Sequence, residues 1–327
     1  MFGSSQTVHC SSTIALQPHI MAVILITASC AIISTNLLVA AALLKILFKK
    51  KRQSWCFVLN LAVADTLVGV AITGLATEDL NTDGSRGRCL LRMTFVSSPC
   101  IASIMSMFLI SLDRYAAIKM PLKSGRAVAF WALASLWVCA FALGFMPVYV
   151  PALQSDLYRG FCDFFSVIYD VGIIILYSVC FFPVVSVFLY IYLDILKIAC
   201  SHQRQILEVR QAGSRTSDHV RALRTVAMLV GCFVLLWCPF FITGVVKLLC
   251  GGCQLTQLLE GYLFLLGLSN SLLNPLVYAF WQKEVRQTLA QMFSGCKRKT
   301  RQQSGTGGSG HHQHNTNRDD ANATCAS

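Results

Sequence analysis

The sequence predicts an all-α membrane protein: a bundle of seven transmembrane helices followed by a short amphipathic eighth helix. Three observations lead there. The 327 residues are 55% hydrophobic and only 13% charged, against about 25% charged in a soluble domain, and mean hydropathy is +0.60. Apolar runs at roughly 20–44, 55–80, 88–118, 127–150, 166–196, 219–250 and 256–281 are separated by polar or Gly/Pro-bearing connections. Each can form a helix that rises about 1.5 Å per residue across a hydrocarbon core of about 30 Å. Of the 27 Lys and Arg, only Arg86, Arg88, Arg92, Arg159 and Lys247 lie outside the alternate loops and C-terminal tail that hold the other 22. The net charge of +12 is therefore positive-inside asymmetry and not a nucleic-acid patch.

Residues 1–18 contain no Lys or Arg, and the first run is too long for a signal-peptide core and ends in the basic cluster Lys49 to Arg52. It reads as an uncleaved first span with an extracellular N-terminal tail. Seven spans then place the C terminus in the cytoplasm of a multi-pass plasma-membrane protein. The transmembrane core is 19–281, one domain with no repeat and no long insert.

The third run organises the rest. Between Arg92 and Asp113 twenty residues carry no charge, and Pro99 within them predicts a kink, because neighbouring helices can satisfy the carbonyl a proline frees. One end offers Cys89 and the other Asp113, Arg114 and Tyr115, an ionisable cluster where the helix meets water. Cys162, before the fifth run, is the natural disulfide partner of Cys89, since both lie at the oxidising face. Cys250 and Cys253, in CGGC, suggest a second, local bridge in preference to zinc. Most of the fifteen cysteines fall inside apolar runs and act as small hydrophobes.

Asp65 sits mid-span, where an Asp costs about 3 kcal/mol on insertion scales, so it needs a partner or a cation. Asn36, Ser103, Asn270, Ser271 and Asn274 lie at similar depth and surround it if spans one, two, three and seven are neighbours. A sodium or proton site and a hydrogen-bonded structural cluster are the two readings; a structural amide network does not require a carboxylate, which favours the ion. Pro183, Pro239 and Pro275 each remove a helix hydrogen bond, so these spans can pivot. After the seventh run, Trp281, Val285, Leu289 and Phe293 recur every four residues among charged neighbours, which predicts an amphipathic helix over 282–293 on the inner membrane surface. Cys296 beyond it could carry a palmitoyl chain. Residues 294–327 are too polar to fold and read as a disordered cytoplasmic tail.

Taken in order, Asn36, LNLAVAD ending at Asp65, Cys89, Asp113-Arg114-Tyr115, Trp137, Cys162, Pro183, Trp237-Cys238-Pro239 and Asn274-Pro275-Leu276-Val277-Tyr278 resemble the motif set of the rhodopsin-like, class A G-protein-coupled receptors. Within that family, LNLAVADTLVGVAITGL, DILKIA, ALRTV and NSLLNPLVYAFWQKEVR look like a branch that responds to fatty-acid amides and lysolipids. The resemblance implies a receptor without enzymatic chemistry and with no required cofactor. Its partners are a heterotrimeric G protein, of the stimulatory type for that branch, and a lipid agonist. It implies that Arg114 faces the G protein under restraint from Asp113, that Pro121 and Leu122 in the second inner loop help it dock, that helix six pivots at Pro239, and that Tyr278 swings inward. Asp65, Ser103, Asn270, Ser271 and Asn274 match the family's allosteric sodium pocket.

By family position the ligand pocket comprises Val96, Phe164, Phe165, Trp237, Phe240, Phe241 and Phe264, with Arg92 and Glu260 near the mouth for a head group. This aromatic and aliphatic set suits an acyl chain. Val96 stands where amine receptors place an aspartate, and Leu268 where opsins carry the retinal lysine. Ile191 replaces a tyrosine that steadies the active state, and His219, beside Asp218, replaces the acid that pairs with the arginine from helix six. A weak resting lock and appreciable basal signalling follow as expectations. A receptor for another neutral small molecule, nucleoside-like, shares the missing counter-ion. From hydropathy and Asp65 alone a seven-helix ion or proton transporter stays open, though it lacks the chain of intramembrane acids a relay needs.

Overall fold

The structure, a computed structural model, describes residues 18–50, 54–79, 85–119, 126–156, 162, 164–169, 172, 181–191, 193–194, 197, 215–250, 255 and 258–305. Helices dominate: α1 (Pro18–Lys50), α2 (Ser54–Asp79), α3 (Arg86–Lys119), α4 (Arg126–Gly144), α5 (Phe182–Ile191), α6 (Arg215–Leu249), α7 (Phe264–Trp281) and α8 (Lys283–Gly305). Six of them are long and apolar enough to cross a membrane, and α5 is a shorter apolar helix at the place of the predicted fifth span. The remainder of that span lies outside the described residues.

Local sequence sets where these helices start and stop. Lys49 and Lys50 close the last turn of α1, where cations complement the helix dipole. Helix α4 ends at Gly144, and a single turn Met146–Tyr149 with Pro147 near its start follows at once. Helix α7 is preceded by a π turn, Leu258–Leu263, and carries Pro275 within it; α3 and α6 likewise contain Pro99 and Pro239. All three helices continue through their prolines, as a bundle allows.

Packing follows the chain. Helix α1 lies along α2 and also touches α7; α2 lies along α3, α3 along α4, and α6 along α7. Ile32, Leu61, Val68, Ile72, Met107, Phe188, Leu229 and Phe233 fill the interior. The outward faces are equally apolar: Phe48, Trp131, Val138 and Leu235 are exposed. In water such a surface would be an aggregation liability, whereas a lipid bilayer covers it without cost.

Two glycines permit close approach between neighbouring helices, α1 with α2 and α3 with α4. A Cβ on Gly144 would run into Ser98 Oγ and lie 2.8 Å from Ser98 Cα, so α4 ends directly on the Pro99 region of α3. There Thr94, Ser97 and Ser98 return their hydroxyls to the carbonyls of Leu91, Met93 and Thr94. On the other side, a Cβ on Gly69 would meet Ile33 Cγ1 at 2.7 Å, and Ser29 Oγ donates to the Gly69 carbonyl at 2.6 Å, which seats α1 on α2.

The chain divides into two compact units, Met1–Leu289 and Ala290–Ser327. The amphipathic helix is longer than the sequence predicts: α8 runs to Gly305 and takes in 294–305, which sequence assigns to the unfolded tail. Ser294 and Gly295 are weak helix formers, but 297–303 is Lys, Arg and Gln with a single Thr, and these residues favour helix once a turn precedes them.

Candidate functional site: an outer aromatic cluster, a buried polar core and an inner charged face

At the outer end, Cys89 and Cys162 form the predicted disulfide, with an S–S distance of 2.07 Å across 73 residues. Cys250 is also disulfide-bonded, and Cys253 lies outside the described residues. The connection after α4 folds over α3: Ser155 N–H donates to the Val167 carbonyl and Tyr169 N–H to the Leu153 carbonyl. Arg86 pairs with Asp156 at 3.0 Å and donates to Gln154 Oε1 at 3.3 Å, fastening the same connection to the first turn of α3. None of these partners carries a sequence signal, because polar residues in a loop have no periodicity to read.

Below this cover lies the expected aromatic set. Trp237 and Phe240, three residues apart on α6, meet edge to face at 5.9 Å; Phe241 lies 5.8 Å from Trp237 and stacks on Phe181 at 3.5 Å. Phe264 extends the set from α7, 6.2 Å from Phe240. Val96 is buried in the same hydrophobic core. Phe164 packs on that core and lines a cleft with Ser97, Gly144, Met146 and Pro147. Arg92 donates to the Gly74 carbonyl at 2.7 Å, so it braces α2 against α3 at the mouth where sequence expects it to await a head group. The side chains of Phe165 and Glu260 lie outside the described residues.

The mid-membrane core is built around Asp65, which is 0% exposed. Its Oδ1 accepts from Ser103 Oγ at 2.7 Å and Ser271 Oγ at 2.8 Å; its Oδ2 accepts from Asn274 Nδ2 at 2.8 Å. Helices α2, α3 and α7 therefore meet at one carboxylate. Asn36 contributes differently from the expectation: its Nδ2 donates at 2.9 Å to the carbonyl of Ser271. That carbonyl is four residues before Pro275, the one the proline leaves without its helical donor. An amide on α1 thus repairs the defect that Pro275 makes in α7. Asn270 is buried, and its Oδ1, Asn274 Oδ1 and Tyr278 Oη have no hydrogen-bond partner. The orphaned oxygen of Asn274, whose amide already touches the carboxylate, the two serine hydroxyls and a second orphaned amide oxygen one turn earlier on α7 at Asn270 are hard oxygen donors, the chemistry that suits a sodium ion. Among the described residues no group of three or more His, Cys, Asp or Glu could hold a transition metal.

A second polar chain is only partly legible in the sequence. Trp137 Nε1 donates to Asn60 Oδ1 at 2.9 Å, and Asn60 Nδ2 donates to Ser106 Oγ at 2.8 Å, linking α4, α2 and α3. Trp137 stands out as a motif residue; Asn60 and Ser106 do not, since a single polar residue in an apolar run does not announce its partner.

On the inner face Arg114 donates to Asp113 Oδ2 through Nε at 3.1 Å and Nη2 at 2.5 Å. Tyr115 Oη donates to Asp194 Oδ2, near the inner end of α5, at 2.7 Å. Tyr278 is buried against the core. Lys50 pairs with Glu284 at 2.8 Å, joining the end of α1 to the first turn of α8. Pro121 and Leu122 lie outside the described residues, as do the side chains of Asp218 and His219.

Comparison with known proteins matches residues 35–278 to the family 7 transmembrane receptor (rhodopsin family). The human glucose-dependent insulinotropic receptor is 45% identical over 291 residues, 84% of this chain and 87% of the relative. The rat glucose-dependent insulinotropic receptor is 43% identical over 288 residues, 84% of this chain and 62% of the longer relative. The rat histamine H2 receptor is 29% identical over 303 residues, covering 89% of this chain and 84% of its own length.

Proposed function

Since the chain belongs to the rhodopsin family of seven-transmembrane receptors, we propose that it is a receptor for neutral lipids, fatty-acid amides or lysolipids, that couples to the stimulatory G protein and raises cyclic AMP. It is not an enzyme, and as a G-protein-coupled receptor it acts through a heterotrimeric G protein from within the membrane. On this reading the N terminus lies outside the plasma membrane and the C terminus in the cytoplasm.

The observation that carries the ligand class is the continuous aromatic set Trp237, Phe240, Phe241 and Phe264, with the aliphatic Val96 buried in the same hydrophobic core. Such a lining rewards an acyl chain by burial and offers no carboxylate to a cationic amine such as histamine. Trp237 sits two residues before Pro239, so a lipid that displaces the indole acts on α6 next to its missing hydrogen bond, where bending costs least. Opening of α6, release of Arg114 from Asp113 and docking of a G protein on Arg114 and the loop at Pro121 and Leu122 then follow in order. A sodium ion held by Asp65, Ser103 and Ser271 with the Asn270 and Asn274 amide oxygens would favour the resting arrangement. The absent helix-six acid supports appreciable basal signalling.

The test is cyclic AMP in cells expressing the chain or its Arg114→Ala variant at matched surface density, with and without oleoylethanolamide. Basal and lipid-driven signals that both vanish in the variant support receptor, coupling and ligand class together. A basal signal without a lipid response removes the ligand class. A lipid response through another second messenger removes the stimulatory coupling.

A further inference from the structure

We propose that Asp194 is a positioning residue for G-protein coupling: through its hydrogen bond to Tyr115 it latches the inner end of α5 to α3 and keeps Arg114 in its pairing with Asp113. The two contacts belong to consecutive residues of α3. Tyr115 Oη donates to Asp194 Oδ2 at 2.7 Å, while Arg114 donates twice to Asp113 Oδ2. A rotation of this turn that frees Arg114 for a partner also carries Tyr115, so the first motion is resisted by the second bond.

The latch is the inner end of a seam. Farther out, Phe108 of α3 meets Phe188 of α5 edge to face at 6.1 Å, and Phe188 continues to Phe233 of α6 at 5.8 Å. Phe188 and Ile191 are buried. Phe188, Ile191 and Asp194 recur every three residues along α5 and the helical residues 193–194 after it, and Phe108 and Tyr115 lie seven apart on α3; each set follows one helix face. The aromatic and polar contacts are thus about 10 Å apart along both helices. An apolar seam tolerates sliding, whereas a charge-assisted hydrogen bond to a carboxylate is directional and fixes the register.

This arrangement gives Ile191 a different meaning. The α5 face that lacks the family's tyrosine carries a carboxylate three residues on, and the phenol is supplied from α3. With the acid that the resemblance assigns to α6 missing, the resting restraint that remains in this chain comes from α5.

The inference rests on coupling to a G protein and on no particular lipid or G-protein type. Its test is agonist-free nucleotide exchange on stimulatory, inhibitory and Gq-type G proteins, using the full-length receptor in membranes at matched density. The variants are Asp194→Asn, Tyr115→Phe, the pair combined, and Asp194→Glu. Each of the first two is expected to raise exchange about fivefold or more, the double variant to match the larger single effect, and Asp194→Glu to stay at the wild-type level. A folding defect lowers exchange and receptor number and cannot produce that pattern. Unchanged or lowered exchange in either single variant, or a double effect equal to the product of the two, overturns the latch. Exchange raised only on a G protein other than the stimulatory type keeps the latch and overturns the coupling proposed above. No exchange from any variant on any G protein overturns the latch together with its premise.

Discussion

The indole of Trp237 rests on the backbone of Gly267: a Cβ at that glycine would lie 2.6 Å from Cε3 and 2.7 Å from Cζ3. Helix α7 can therefore feel the position of the α6 tryptophan without any intervening side chain. Gly267→Ala must push a bulky ring in a packed core, which costs about 1–3 kcal/mol when it forces neighbours off their rotamers. The expected outcome is a lower melting temperature of the purified receptor and a basal signal that differs from wild type. Combining it with Trp237→Leu should recover much of the lost stability, because the clash partner is gone.

Asp65→Asn separates stability from ion sensing. The new amide N–H would face Asn274 Nδ2, a donor against a donor, but Asn274 Oδ1 is unpartnered and a rotation of that amide supplies the missing acceptor. Stability should consequently fall by no more than about 1 kcal/mol, less than an unsatisfied buried group usually costs. Agonist affinity measured in sodium and in a bulky organic cation should differ for wild type and coincide for the variant. A sodium effect that persists in Asp65→Asn contradicts the proposed ion site.

Gly144→Ala tests the seat of α4 on α3. Its Cβ would collide with Ser98 Oγ and also approach the Ser98 Cα at 2.8 Å, and backbone cannot rotate away. Surface expression should drop severalfold, in keeping with about 1–3 kcal/mol of overpacking. Ser98→Ala should rescue it only in part. Full rescue by Ser98→Ala would mean that the hydroxyl alone makes the clash.

Asn60→Ala should be worse than Trp137→Phe combined with Asn60→Ala. Removing the amide leaves Trp137 Nε1 without its acceptor, a cost of about 1–3 kcal/mol in a low-dielectric interior. Taking away the indole N–H as well removes the unsatisfied donor. Thermal unfolding of Asn60→Ala, Trp137→Phe and the double variant measures the coupling, and additive losses would assign the residues independent packing roles.

Much of this molecule is legible in its amino-acid order. Six of the seven predicted apolar runs are helices long enough to span, as hydrocarbon thickness requires, and the Cys89 and Cys162 pairing follows from two cysteines at one face. Ser103, Ser271 and Asn274 are legible as candidate partners of Asp65 from equal depth, because a buried carboxylate must find donors and few exist at that level; that they meet it depends on α2, α3 and α7 being neighbours. The end of α8 is harder to read: Ser294-Gly295 looks like a stop, while the Lys, Arg and Gln that follow can carry the helix on.

By itself, then, the sequence determined what lipid dictates: which segments must be helical, how many cross, where charge collects, and which buried acid needs partners. These are one-dimensional properties, since every spanning segment must satisfy its own backbone whatever its neighbours do. The tertiary structure alone decided which residues meet across helices. Asn36 repairing the carbonyl freed by Pro275, Gly267 under Trp237, Gly144 on Ser98, Arg92 on the Gly74 carbonyl and Asp194 on Tyr115 all depend on the rotation and register of one helix against another. Apolar faces pack against lipid and protein alike, so hydropathy does not fix that rotation; close fit and a few directional hydrogen bonds do.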